Sequence, residues 1–326
     1  MTGRHIVTRS ALADGLTALG IRPGTTVIAH TSLSSFGYVV GAAHSVLLAL
    51  RDTLGPRGTL VMPAFTPQLC HPSTWRAPDL AHAAADPRTA AQMPPFDPHR
   101  TPAARTMGVL PELLRTQPGT LRSCHPHVSF AAQGPRAETI VREHPTAWRL
   151  AAHGPLGRLW DLDATVLLLG APWHKTTALH LAEYATAYPG RRSGLWAVPE
   201  PDGHGGSRWQ AVPELLVWEG DFDTLGAAYE TSGAPLVGTH IGGAHCRALP
   251  LRDLVRFACR WLAEHRDLSR ALAPPGWRDV VDAEAPVPAG ELGEAPVPAG
   301  ELGEAPGPAA ELGAAHTDPA AKEPIP

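Results

Sequence analysis

The run Thr165-Val166-Leu167-Leu168-Leu169-Gly170 is followed by the loop APWHKTT (171–177) and then by ALHLAEYATAY (178–188). A short aliphatic run closed by glycine reads as a buried strand. Thr176 or Thr177 is the expected cap of a helix running to about Tyr188. Strand, loop and helix in that order form the repeating unit of an α/β fold.

The same alternation extends outward in both directions. Ser10 is the expected cap of a first helix with Leu12, Leu16 and Leu19 on one face, ended by Gly20. Thr26-Val27-Ile28-Ala29 and Thr59-Leu60-Val61-Met62 read as strands. Between them Ala42–Leu54 reads as a helix with Val46, Leu47, Leu50 and Leu54 inward. Further on come a helix over Met107–Arg115, a strand over Val128–Ala132 and a helix through Ala137, Ile140 and Val141. Leu251–His265 is the last clear helix. Near-continuous apolar strands imply a sheet covered on both faces. The expected architecture is therefore layered α/β, with a mostly parallel central sheet flanked by helices. Ligands of such sheets bind at the carboxyl ends of strands, which selects the loops at 30–35, 63–66 and 171–177.

Composition sets the outer limits. Of 326 residues, 44% are hydrophobic and 18% charged, which is globular rather than disordered. No apolar run is long enough to span a membrane and no apolar signal core opens the chain, so a cytoplasmic location is expected. With a net charge of −4 and no basic run, nucleic acid is an unsuitable partner. Four scattered cysteines without a CxxC pair suit a reducing compartment. From Glu284 the decapeptide EAPVPAGELG repeats, ending in the variant EAPGPAAELG. Such a segment buries too little to fold alone, so the expected division is a domain at 1–275 and a disordered tail at 276–326.

Five segments carry chemistry, each with a bland alternative. Thr31-Ser32-Leu33-Ser34-Ser35 offers hydroxyls and N–H groups at a strand end, a cradle for phosphate or pantetheine, or merely a self-satisfied turn. His180 and Glu183 share a helical face. The carboxylate can orient a neutral imidazole that removes a proton from an incoming ammonium, or the two can form a surface pair. Asp97, in Pro95-Phe96-Asp97-Pro98, is either a receptor for cationic groups or an Asx-turn. Cys124 beside His125 and His127 offers a thiol nucleophile or a metal site, or chance pairing among seventeen histidines; diagnostic metal spacing is missing, and no metal is expected. Gly238–Arg247 is either a ligand-approaching glycine loop or a bulged hairpin.

In this order, HTSLSSFGYVVGAAHSVLLALRDTLGPRGTLVMPAFT (30–66), FDPHRTPAARTMGVLPELL (96–114), RSCHPHVSFAAQGPRAE (122–138), GPLGRLWDLDATVLLLG (154–170) and TTALHLAE (176–183) resemble the aminoglycoside 3-N-acetyltransferase family over roughly residues 8–265. The resemblance implies an antibiotic N-acetyltransferase fold distinct from the GNAT fold. It implies acetyl-CoA as donor and the 3-amino group of a 2-deoxystreptamine aminoglycoside as acceptor, with antibiotic resistance as the outcome. It makes His180 the general base and Glu183 its orienting partner. It places Thr31, Ser32, Leu33, Ser34, Ser35, Thr106, Gly108 and Ser129 near CoA, and Asp97 and Glu112 in an anionic wall for the antibiotic. A homodimer is allowed for. Where the family often has Arg or Lys, this chain has Ser34, leaving Arg105 and Arg247 to meet phosphate charge. The alternatives are acetylation of a biosynthetic amine (an amino sugar or amino phosphonate), or a metal-dependent hydrolase.

Overall fold

The computed structural model describes residues 5–75, 78–271 and 278–279. Its strands are β1 (Ile6–Val7), β2 (Thr26–Thr31), β3 (Tyr38–Val39), β4 (Thr59–Pro63), β5 (Leu121–Arg122), β6 (Phe130–Gln133), β7 (Thr165–Leu169), β8 (Ser193–Pro201), β9 (Ser207–Leu215), β10 (Val237–Ile241), β11 (Ala244–Pro250) and β12 (Arg278–Asp279). The helices are α1 (Arg9–Ala18), α2 (Ala42–Leu54), α3 (Ala81–Ala85), α4 (Pro87–Ala91), α5 (Val109–Arg115), α6 (Ala137–Val141), α7 (Pro155–Asp161), α8 (Ala178–Ala185), α9 (Phe222–Thr231) and α10 (Leu251–His265).

Seven strands form one sheet in the order β10-β11-β7-β2-β4-β6-β5. Parallel pairing is confined to the centre, where β2 lies between β4 and β7. The outer strands pair antiparallel, so the sheet is mixed and the expected parallel character holds only for its core. Local connection explains the edge: a two-residue turn, Gly242-Gly243, joins β10 to β11, and so short a link permits only an antiparallel pair. A second sheet holds the β8–β9 hairpin with β12.

Alternate residues of the central strands face opposite sides. Ile28, Val61, Phe130, Val166 and Leu168 join a core with Ile140 of α6, Leu159 of α7, Leu179 of α8, Phe222 of α9 and Leu254 of α10. Val27, Leu60, Met62, Ala131, Leu167 and Leu169 join another with Leu16 of α1, Leu47 and Leu50 of α2 and Leu114 of α5. Each such leucine or valine contributes about 1.5–3 kcal/mol when fully buried. Covering both faces is what made the strands read as unbroken apolar runs.

Several boundaries differ from expectation: the helix expected over Met107–Arg115 starts at Val109, after a 3-10 turn at Arg105–Met107, and the strand expected over Val128–Ala132 runs Phe130–Gln133. Thr8 rather than Ser10 caps α1, because its hydroxyl accepts the Ala11 N–H at 3.2 Å. Helix α8 stops at Ala185, three residues before Tyr188; Thr186 is already extended, and Pro189 restricts the residue before it. Of the segment assigned to the tail, Arg278 and Asp279 pair with β8, while 280–326 lies outside the described residues. Among the described residues, no helix is long and apolar enough to cross a membrane.

Candidate active site

The loops after β7, β2 and β4 leave adjacent carboxyl ends of the three parallel strands. His180 lies in the first turn of α8, directly after the β7 loop. Its Nδ1 stands 2.5 Å from Glu183 Oε2. A carboxylate oxygen at Nδ1 fixes the proton there and leaves Nε2 with its lone pair. Glu183 is fully buried, and its other oxygen accepts the Trp218 N–H at 2.8 Å and a bond from Arg266 Nη1. Arg266 also binds Asp221 through Nε at 2.9 Å and Nη2 at 2.5 Å, and the Trp218 carbonyl at 3.0 Å. The faces of Tyr188, Trp218 and Phe222 surround its guanidinium. Burial opposes the charge of Arg266, but Asp221 and Glu183 outweigh it and raise the pKa. Phe222 also packs on the His180 ring, with centroids 5.1 Å apart.

Arg266, Asp221 and the Trp218 N–H are absent from the sequence-derived site. Arg266 lies 83 residues from Glu183, and no local spacing links them. His30 was also missed as a site residue, although it stands in the quoted loop. It is buried at the end of β2, its Nε2 lacks a hydrogen-bond partner among the described residues, and it shares the sheet face of Ile28. Burial, aided by the nearby His180, holds its pKa down at about 3, so the ring is neutral.

The Ser-rich loop forms a short 3-10 turn, Leu33–Phe36, at the end of β2. Ser32 N–H is tied to Leu169 O at 2.9 Å and Ser35 Oγ to Ser32 O at 2.7 Å. Ser34 is exposed, and Thr31, Ser32, Leu33 and Ser35 are partly exposed. Gly108 and Thr106, both exposed, belong to the 105–108 turn. Gly108 lies beside Thr31, where an added Cβ would be 3.9 Å from the Thr31 carbonyl oxygen. Leu33 is partly packed against the core. Ser129 does not join this group. It is fully buried, donates to Ala64 O at 2.9 Å and accepts from Arg122 Nε at 2.9 Å, so it braces β6 against the β4 end.

The glycines of Gly238–Arg247 serve the protein's own backbone. The Gly242-Gly243 turn presses on the Ser35–Phe36 segment: a Cβ on Gly242 would be 2.4 Å from the Phe36 carbonyl oxygen, and one on Gly243 2.9 Å from that of Ser35. The hairpin thus backs the Ser-rich loop. Of the two cations offered for phosphate, Arg105 is exposed, whereas Arg247 is 2.6 Å from Glu230 and stacked over Trp173.

The proposed anionic wall is largely committed elsewhere. Asp97 Oδ1 accepts the N–H groups of His99 and Arg100 at 2.7 and 3.1 Å, an Asx-turn, and the His99 bond leads in lowering its pKa. Glu112 bonds Arg115 through both oxygens, at 2.6 and 2.8 Å, and accepts the Ala103 N–H at 2.8 Å. Burial raises its pKa, but these bonds outweigh burial and lower it. With both oxygens occupied, Glu112 anchors the 97–104 loop rather than presenting free charge.

The histidine-rich segment is likewise internal. His125 Nδ1 accepts the N–H groups of His127 and Val128, at 3.0 and 3.2 Å. His127 binds Leu69 O through Nε2 and accepts the Trp196 indole N–H at Nδ1. His144 Nε2 binds Arg149 O, and its Nδ1 accepts from Ser123, whose oxygen accepts the Phe130 N–H. Burial keeps these imidazoles neutral. Lone pairs that already receive N–H or O–H donors are poor metal ligands.

Comparison with known proteins identifies the family. The profile described as aminoglycoside 3-N-acetyltransferase matches residues 28–263. Aminoglycoside N(3)-acetyltransferase VII of Streptomyces paromomycinus is 36% identical over 293 residues, covering 83% of this chain and 96% of that protein. The crystal structure of YokD from Bacillus subtilis superposes with a TM-score of 0.75 at 34% identity, covering 81% of this chain and 95% of that one. AAC-IIIb, solved as a binary complex with CoASH, superposes with a TM-score of 0.68 at 31% identity, covering 82% and 100%. With its fold and these likenesses, the chain belongs to the aminoglycoside 3-N-acetyltransferase family and is an acyltransferase.

Proposed function

We propose that this enzyme transfers the acetyl group of acetyl-CoA to the 3-amino group of a 2-deoxystreptamine aminoglycoside, with His180 as general base. The supporting observation is the 2.5 Å contact between His180 Nδ1 and buried Glu183. It fixes the ring so that Nε2 is the atom turned to accept a proton. An aminoglycoside amine arrives as an ammonium and must lose a proton before it attacks the thioester carbonyl. His180 takes that proton, and Glu183 stabilises the imidazolium formed. Thr31–Ser35, with Thr106 and Gly108 beside it, supplies hydroxyls and N–H groups for the pantetheine and pyrophosphate of CoA. AAC-IIIb, which superposes on this fold, was solved with CoASH. Acetylation replaces a cation by a neutral amide and weakens the drug's hold on RNA phosphates, so resistance follows from the chemistry. Use of acetyl-CoA suits a cytoplasmic location, and the proposed catalytic domain, expected at 1–275, takes in β12 at Arg278–Asp279 as well, through its pairing with β8.

The test is thiol release from acetyl-CoA with a panel of deoxystreptamine drugs, and mass spectrometry of the products. One added acetyl group on several drugs is expected. Thiol release with amino sugars or amino phosphonates alone would replace the acceptor by a biosynthetic amine. His180→Ala should lower kcat about 10²–10⁴-fold; activity within about threefold of the parent removes His180 as base.

A further inference from the structure

Asp221 occupies the N-cap position of α9, where an aspartate ordinarily accepts the free N–H groups of the first turn. Here its side chain makes no cap bond. Both oxygens bind Arg266 instead, at 2.9 and 2.5 Å. The helix forgoes its cap in favour of a forked ion pair behind the catalytic helix. Arg266 in turn is sealed, with 1% of its side chain exposed, and extends Nη1 to Glu183. Phe222 forms a shared wall, 5.1 Å from the His180 ring centroid and 5.5 Å from Arg266 Cζ.

We propose that Arg266 and Asp221 are positioning residues for acyl transfer: Arg266 fixes the Glu183 carboxylate against His180 Nδ1, and Asp221 balances Arg266 so that His180 can take up the substrate proton. The inference rests on His180 being the base. A charge count gives the reason. Glu183 and Asp221 carry −1 each and Arg266 carries +1, a sum of −1 while His180 is neutral. The transferred proton brings the sum to zero. Without Asp221 the cluster would pass from zero to +1, and buried net charge opposes that step. Without Arg266 it would hold −2 before transfer, and Glu183 would lose the bond that fixes its rotamer. The other titratable groups facing the cluster are His30 of β2, Tyr184 and Tyr188 of α8 and its exit, Arg191 of the next loop, and Arg149 across Glu214.

The experiment measures kcat, KM and the acid limb of kcat/KM for Asp221→Asn, Arg266→Met and Arg266→Lys, with His180→Ala alongside. Asp221→Asn should move the acid limb down by about half a pH unit or more and lower kcat about tenfold, with KM for acetyl-CoA unchanged. Arg266→Met should move the limb upward. Arg266→Lys, which keeps the charge without the fork, should recover the limb but not the full kcat. A purely structural role would leave the limb in place. If Arg266→Met does not fold, the isosteric Asp221→Asn, at a side chain 15% exposed, decides the matter. Folded Asp221→Asn with unchanged limb and kcat, while His180→Ala is inactive, overturns the inference. An active His180→Ala overturns the base assignment instead.

Discussion

Acidification should unfold this protein at a mildly acidic pH, through a small set of buried imidazoles. His30 and His127 have pKa values held down at about 3, and His144 at about 4, each mainly by burial. His125 is also held well below the ordinary value of 6.5, again chiefly by burial. In the folded state these rings are neutral; in the unfolded chain they titrate near 6.5. Between those limits the unfolded chain binds more protons, so stability is complete above about pH 6.5 and falls as pH drops toward the folded values. At about pH 5 each of the three valued groups has lost about 2 kcal/mol, so together they lose about 6 kcal/mol, with His125 adding in the same direction. Domains of ordinary size have only roughly 5–15 kcal/mol in total. The hydrogen bonds show why the folded state refuses the proton. Protonation of His127 would place a hydrogen where the Trp196 N–H already points, and in His125 where two backbone N–H groups converge. Urea unfolding followed by tryptophan fluorescence, at intervals from about pH 8 to 5, gives the slope directly. Three protons predict about 4 kcal/mol per pH unit near pH 5. A slope below about 1.4 kcal/mol per unit, less than one proton, refutes the reasoning.

Other substitutions test separate joints of the structure. Gly170 has φ +66°, and an added Cβ would stand 1.8 Å from Ser35 Oγ and 3.0 Å from Ala244 Cβ. Gly170→Ala should therefore cost about 2–4 kcal/mol and weaken acetyl-CoA binding through the displaced Ser-rich loop; calorimetry showing parental stability and affinity would contradict this. Tyr184→Phe removes the hydroxyl donor at 2.5 Å from the fully buried Glu214 and should cost about 1–3 kcal/mol in urea unfolding, since the oxygen keeps only the Leu215 N–H. Glu183→Gln should lower kcat about 10²–10⁴-fold, because an amide no longer enforces the Nδ1–H tautomer; steady-state kinetics within about threefold of the parent would rule out that role.

The layers of the fold were legible because central strands buried on both faces carry an unmistakable apolar signature. Ala42–Leu54, Thr165–Leu169 and Leu251–His265 end where the sequence says they should. The mixed sheet was less legible, since apolar runs carry no strand direction. His180 and Glu183 could be paired from a spacing of three on one helix. Glu112 and Ser129 stood in suggestive positions, but what a side chain can offer depends on what already occupies it. Arg115, one turn on in the same helix, and Arg122, seven residues before Ser129, occupy these two, and the distant Ala64 carbonyl takes the Ser129 hydroxyl. Asp97 shows the reverse lesson: its Asx-turn follows from its own neighbours, and that local reading is the one realised.

The support that Arg266 gives to Glu183 of α8 also sets a clock on the protein's synthesis. Glu183 emerges from the ribosome long before residue 266, and until then the carboxylate has no guanidinium to meet. Vectorial synthesis delivers N-terminal structure first, so His180 can be made and even helical while its partner is still unsupported. Chains interrupted between β9 and the end of α10 would hold most of the sheet yet lack the cation that makes burial of Glu183 tolerable. Activity should thus appear late and abruptly along the growing chain, as a property of the nearly finished domain.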